Sequence, residues 1–146
     1  MSSNERNDLL YVCSLIEFIG RKTFNHRGYI VKCIGYEGLK HLYEVASINH
    51  SLSFEQVSDE VINDYCIRNG NFDTISNCTE KIPNYISIGN VYKRIIIETN
   101  NNDIIDSIYN VFNSFLSDEI SNFNSDLYYQ NNSYLCACYR AGKILD

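Results

Sequence analysis

The stretch Leu9-Leu-Tyr-Val-Cys-Ser-Leu-Ile-Glu-Phe-Ile19 decides the fold of this chain. Its apolar residues recur at the three- and four-residue spacing of one helical face, at Leu9, Val12, Leu15, Ile16 and Ile19. Glu17 is the one charged residue in this stretch, so we expect the helix to lie at the centre of the fold rather than at its periphery. Asp8 is the expected N-cap.

The same periodicity predicts helices over residues 8–67. A short helix from residue 26 to 34 ends at Gly35, because glycine readily takes the left-handed conformation that closes a helix. A further helix follows from residue 37, and the two form a helical hairpin. The polar segment 68–85 reads as a connection, with one short helical turn near residues 72–78.

Residues 86–142 predict a second group of helices. A hairpin of residues 88–98 and 104–116 gives the strongest amphipathic pattern, although residues 93–98 alone would also suit a strand. A last helix starts at residue 133 or 134 and stops at Gly142. We therefore predict an all-α fold: a single domain over residues 1–146, with about six or seven helices built from helical hairpins.

Composition and charge exclude several classes of protein. The chain has 146 residues, and 18 acidic against 12 basic residues give a formal charge of −6, which argues against a general nucleic-acid binder. No apolar run approaches the roughly 20 residues of a membrane-spanning helix. Residues 1–8 lack the basic start of a signal peptide, so we expect a cytoplasmic protein without membrane contact.

The six cysteines form no metal-binding pattern, and the glycines form no nucleotide-binding pattern. No CxxC pair occurs, and the three histidines lack the spacing of zinc ligands. The glycines form no phosphate-binding loop. We expect reduced thiols, no metal and no cofactor.

A helix that begins after Ser53 carries acidic residues four positions apart. Glu55 and Asp59 form one such pair, and Glu60 and Asp64 form another. Like charges at this spacing cost a few tenths of a kcal/mol per pair unless a cation offsets them. The face is either simply solvated or an acidic docking surface.

Tyrosine is abundant, with twelve residues in the chain, and four of them cluster near the end: Tyr128, Tyr129, Tyr134 and Tyr139. A tyrosine ring packs while its hydroxyl stays hydrated, which suits protein interfaces. These rings either cover the core or form a binding face. Lys93, Arg94, Arg140 and Lys143 could form a basic patch, but in an acidic half we expect them to make intramolecular ion pairs.

Several short motifs resemble a family of uncharacterised small helical proteins from Gram-positive gut and soil bacteria. They are Leu9-Leu-Tyr-Val-Cys-Ser-Leu-Ile-Glu17, Glu37-Gly-Leu39, His41-Leu-Tyr43, Gly70-Asn-Phe-Asp73, Val91-Tyr-Lys-Arg94, Cys138-Tyr139 and Gly142-Lys143. The first half is also similar to a shorter helical domain of unknown function encoded beside ADP-ribosyltransferase-like toxins. The resemblance brings no catalytic residues and implies an accessory or antitoxin-like protein.

The leading hypothesis is a non-enzymatic protein that binds a protein partner through the acidic helix and the tyrosines, with a toxin-like enzyme as the candidate partner. One alternative is a small enzyme with a cleft that uses a cysteine or His41, which Glu37 and Glu44 flank at helical spacing. Another is an acidic inhibitor of a nucleic-acid-binding protein, of the anti-defence type. The sequence does not fix the oligomeric state.

Overall fold

The chain folds into eight α-helices and one short 3-10 helix, with no β-strand, in the computed structural model of residues 1–146. The helices are α1 (Ser3–Thr23), α2 (Arg27–Glu44), α3 (Ala46–Asn49), α4 (Phe54–Asp64), α5 (Tyr85–Thr99), α6 (Ile104–Phe112), α7 (Phe115–Ser121), the 3-10 helix (Leu127–Tyr129) and α8 (Asn132–Ala141). The predicted all-α fold is confirmed. Residues 93–98, which alone would also suit a strand, lie inside α5.

Helix α1 lies at the centre, as its apolar sequence predicts. It packs most extensively against α5 and also contacts α2 and α4. The predicted start at Asp8 is wrong, because α1 begins at Ser3. The Ser2 hydroxyl accepts a hydrogen bond from the Glu5 backbone N–H (3.1 Å), and the Glu5 carboxylate accepts one from the Ser2 N–H (3.0 Å). This capping box gives the backbone N–H groups of Ser2 and Glu5 hydrogen-bond acceptors, which stabilises a helix start at Ser3.

Gly35 divides α2 at the predicted position. Its φ of 72° and ψ of 173° are not helical, whereas the residues before and after it are. The positive φ is readily accessible to glycine alone. Gly35 therefore separates two helical stretches, residues 27–34 and 36–44, which a kink joins without an intervening loop.

The second half contains the predicted hairpin of α5 and α6. Asp103 caps α6, since its Oδ1 accepts a hydrogen bond from the Ile105 N–H at 2.9 Å. The predicted helix 104–116 is interrupted at Ser114, which is extended and donates its hydroxyl to the Val111 carbonyl oxygen (2.7 Å). This break and the four-residue α3 bring the number of α-helices to eight. Helix α8 ends at Gly142, as predicted.

The connection between the two groups of helices covers residues 65–84 and contains no helix. The predicted helical turn near residues 72–78 is wrong. The side chain of Asp73 accepts hydrogen bonds from the backbone N–H groups of Ile75 (2.9 Å) and Ser76 (3.0 Å). Such a local turn competes with helix formation for the same backbone donors.

The two halves share one hydrophobic core. A single cluster of 31 buried apolar residues includes members of all eight α-helices. Because neither half has a separate cluster, the halves form one cooperative unit rather than two domains. None of the helices combines the length and the hydropathy needed to cross a bilayer.

The close approach of α1 and α5 depends on Gly89. A Cβ atom at this position would lie 2.8 Å from the backbone nitrogen of Ser14 and would also overlap the Ser14 hydroxyl. Backbone atoms cannot rotate away as a flexible side chain can. Gly89 therefore sets the distance between the two central helices.

We expect Gly89→Ala to lower the free energy of unfolding by about 1–3 kcal/mol, because the added methyl forces α1 and α5 apart. In an unhindered helix the same change would be stabilising by ~1 kcal/mol. Chemical denaturation measures the difference. Ser87→Ala, on the exposed side of α5, is the matched control and should be nearly neutral. Stabilisation by Gly89→Ala would show that the helices are not in close contact there.

Candidate functional site

The largest surface groove lies where α1, α5, residues 81–84 and the 3-10 helix meet. It has a volume of about 840 Å³, and we call it the tyrosine groove because Tyr128 and Tyr129 line it. Its other apolar lining residues are Leu10, Ile82, Pro83, Tyr85, Ile86 and Val91. The volume is within the range of binding clefts, so the groove is the first candidate for a functional site.

Three large apolar side chains in the tyrosine groove are exposed to solvent. The exposed fractions are 39% for Ile82, 43% for Ile86 and 73% for Tyr129. An apolar patch with a polar rim is typical of a surface that another molecule covers. Burial of these side chains would therefore stabilise a complex.

The charges that line the tyrosine groove are all positive. Arg21, Lys81 and Arg94 are among the lining residues, and no acidic residue is. This is the opposite sign to the chain as a whole, whose formal charge is −6. The expectation of intramolecular ion pairs is wrong, since none of Lys93, Arg94, Arg140 and Lys143 makes a salt bridge. Within the groove, Lys81 and Arg94 are both unpaired. Both cations remain available to an acidic partner.

The 3-10 helix positions the two tyrosines. The ring centroids of Tyr128 and Tyr129 lie 4.3 Å apart, and Tyr128 meets the ring of Phe123 edge-on at 5.9 Å. Phe123 is buried in the core. The exposed Tyr129 ring is thus connected to the core through Tyr128, and its orientation is restricted.

A buried carboxylate supports one wall of the groove. Glu17 is fully buried, and its two oxygens accept hydrogen bonds from the Arg27 guanidinium, both at 2.9 Å. Arg21 Nε lies 2.7 Å from Glu17 Oε2. Burial by itself would raise the pKa of Glu17, but Arg27 and then Arg21 hold it below its ordinary value. Glu17 is therefore charged in the folded protein at neutral pH.

Arg21 connects the buried Glu17 to the wall of the tyrosine groove. Its Nη2 donates a hydrogen bond to the Pro83 carbonyl oxygen at 2.8 Å, and its guanidinium carbon lies 4.9 Å from the centre of the Phe123 ring. The first contact holds Pro83, which lines the groove, and the second places the guanidinium against a buried core ring. The sequence indicates a lone charge at Glu17, but no local pattern identifies partners four and ten residues away.

The acidic residues predicted as a partner surface are on α4, and two of them have an internal partner. Glu55 and Asp59 each lie 2.6 Å from the Lys22 Nζ. Lys22 thus offsets the repulsion between the two carboxylates, which the sequence left unexplained. Asp64 is exposed and makes no salt bridge.

The four predicted tyrosines do not lie together. Tyr128 and Tyr129 line the tyrosine groove, whereas Tyr134 donates a hydrogen bond to the Leu145 carbonyl oxygen (2.6 Å) and thereby holds the C-terminal residues. Tyr139 lies in a different small depression beside Arg140. Of the predicted aromatic residues, the first two are therefore the candidates for partner contact.

The cysteines and His41 do not form a nucleophilic pair. Burial raises the pKa values of Cys13 and Cys136, so that their thiols stay protonated. His41 is exposed and makes no hydrogen bond; it lines a shallow cavity with Glu60 and Asp64. No group of three or more histidine, cysteine, aspartate or glutamate side chains has the arrangement of a metal site.

We expect Glu17→Gln to lower the free energy of unfolding by about 3–5 kcal/mol at pH 7, because Arg27 would be left buried without a counter-charge. The pKa of Glu17 is lowered in the folded state from its ordinary 4.5, so its contribution is full above that value and is lost as the pH falls through the folded pKa. Denaturation at pH 7 and pH 3 should show that the difference in the free energy of unfolding between wild type and variant is smaller at the acidic pH. Glu55→Gln is the exposed control, and a gap independent of pH would contradict the pairing.

Comparisons of the chain with protein-family models, with curated proteins and with solved structures find no match. The resemblance of the short motifs to small bacterial proteins thus stays a prediction.

Proposed function

We propose that the protein is a non-enzymatic binding module, and that its partner is a protein whose acidic, partly apolar surface covers the tyrosine groove. The observation that carries this proposal is the combination of three exposed apolar side chains with cations and no acidic residue. The first feature favours burial, and the second selects the sign of the partner's charge.

The apolar side chains provide the affinity. Tyrosine loses little conformational freedom on binding and buries a large ring, which is why it is enriched among residues that dominate binding energies. Tyr129 has the largest exposed fraction of the three and is packed against Tyr128. We expect it to be the main anchor, with Ile82 and Ile86 beside it.

The charges provide the rate of association and the choice of partner. Lys81 and Arg94 have no internal counter-ion, so their field attracts an acidic surface. Glu55 and Asp59 on α4 are already bonded to Lys22, and a cationic partner would have to compete with that contact. This difference favours the tyrosine groove over the acidic face as the primary contact, with Asp64 at most a secondary one.

The arrangement of the reactive side chains supports a binding role over catalysis. An enzyme with a cysteine nucleophile needs a thiolate beside a base. The thiols of Cys13 and Cys136 are held protonated by burial, and no cysteine forms a hydrogen bond with a histidine. An antitoxin-like role toward a toxin-like enzyme fits the resemblance of the motifs, and an acidic surface on that enzyme is what the groove requires.

Affinity purification from the native host tests the anchors. We expect the wild-type chain to retain a stoichiometric protein, and the double change Tyr129→Ala with Ile86→Asn to release it, because each anchor contributes about 1–2 kcal/mol. The matched control is Ile48→Asn on α3, where an isoleucine is 68% exposed outside the groove. Equal retention by all three proteins would show that the interface lies elsewhere.

Charge reversal separates the two candidate surfaces. Lys81→Glu with Arg94→Glu should slow association at least tenfold at low salt and remove much of its salt dependence, with a smaller effect on dissociation. Stopped-flow measurements with the recovered partner determine both rates. If reversal of Glu55 and Asp59 to lysine slows association more strongly, α4 is the primary contact and the proposed surface is wrong.

A further inference from the structure

A second cavity lies between the N-terminal half of α1, helix α3 and the start of α4. We call it the α1–α3 cavity. Its volume is about 620 Å³, and it shares two wall residues, Leu10 and Ile86, with the tyrosine groove. Small-molecule sites have volumes of roughly 300–1,000 Å³. The size is therefore sufficient for a compact organic ligand.

One wall of the α1–α3 cavity is aromatic. The ring centroids of Tyr11 and Phe54 lie 5.0 Å apart with an interplanar angle of 24°, and the imidazole of His50 lies 4.6 Å from the Tyr11 ring. All three residues line the cavity. Such a surface accommodates an aromatic ring by stacking or edge contact, and it also attracts a cation.

Asp8 supplies a negative charge in the α1–α3 cavity. Its carboxylate lines the cavity, is partly buried and forms neither a salt bridge nor a side-chain hydrogen bond. No lysine or arginine lines the cavity. Burial and, after it, the negative charge of Glu60 raise the pKa of Tyr11, although Glu60 itself does not line the cavity. The cavity thus favours a positively charged ligand.

Ser14 adds an unused hydrogen-bonding group. It lines the cavity, its residue is 1% exposed, and its hydroxyl has no hydrogen-bond partner. The hydroxyl lies against Gly89 of α5, which offers no side chain to bond with it. Because this hydroxyl is enclosed against Gly89, it lies within the wall, and the side chains that a ligand would meet are the aromatic rings and polar groups such as Asp8.

We infer that the α1–α3 cavity binds a small primary amine that carries an aromatic ring. The ammonium group pairs with the Asp8 carboxylate, and the ring packs against Tyr11 and Phe54. The remaining polar side chains of the lining, Asn4, Asn7 and Ser47, offer hydrogen-bond acceptors for the other N–H groups. The inference does not rest on the protein partner proposed for the tyrosine groove, although the two sites share Leu10 and Ile86.

Three probes that share the phenylethyl group and differ in the polar head test the assignment with the full-length chain: 2-phenylethylamine, 2-phenylethanol and 3-phenylpropionate. In NMR titrations we expect the amine to bind saturably with a Kd on the order of 1 mM or tighter, as its small size allows, and to shift the resonances of Tyr11, His50 and Phe54. The alcohol should bind about three- to tenfold more weakly, and the acid should not bind. Equal binding of amine and alcohol, shifts confined to other residues, or no saturation of the amine up to 10 mM (~10 times the expected Kd) would overturn the inference.

Variants identify the residues responsible. Asp8→Asn should abolish the preference for amine over alcohol without unfolding the chain, because Asp8 makes no internal bond that the change would break; the melting temperature verifies this. Asp64→Asn is the matched control, since it removes one carboxylate from the exposed surface outside the cavity. Phe54→Leu should weaken the binding of both the amine and the alcohol, because the ring loses an aromatic contact. If Asp64→Asn removes the preference as fully as Asp8→Asn, general electrostatic attraction explains the binding and the site assignment fails.

Discussion

A carboxylate without water around it must be paired, and the pairing of Glu17 organises much of this fold. An isolated buried carboxylate would cost many kcal/mol, so the chain has to bring cations to it. Arg27 donates two hydrogen bonds to Glu17. It also donates to the Asn25 carbonyl oxygen at 2.9 Å and to the Thr74 hydroxyl at 3.3 Å. One buried charge on α1 therefore joins α1, the start of α2 and the connection between the two halves.

Both candidate sites follow from the central pair of helices. Glu17 and Arg21 lie on α1 and hold the Pro83 segment, which forms a wall of the tyrosine groove. Gly89 brings α5 close to α1, and the same contact leaves the Ser14 hydroxyl without a partner at the α1–α3 cavity. Because Leu10 and Ile86 separate the two openings, the spacing of α1 and α5 determines the shape of each.

Periodicity predicts the faces of the helices well, and it places α1, the hairpin of α5 and α6, and the end of α8 at Gly142. It fails where short-range polar contacts decide, as at Ser2, Ser114 and Asp73, since each competes for backbone hydrogen bonds within a few residues. The candidate site is less accessible to sequence reasoning. Tyr128 and Tyr129 stand out by composition, but the availability of Arg94 and the pairing of Lys22 with α4 depend on contacts between distant parts of the chain.

The connection of residues 65–84 is long and irregular, yet it is fixed at several points. The backbone N–H groups of Gly70 and Phe72 donate to the carbonyl oxygens of Thr23 and Phe24, both at 2.8 Å, and Arg21 holds Pro83. Ordering an irregular segment costs about 1–2 kcal/mol of conformational entropy per residue. Here that loss occurs during folding, so a partner that bound at the tyrosine groove would meet a wall that is already ordered. Its binding energy is then available for affinity rather than for loop ordering.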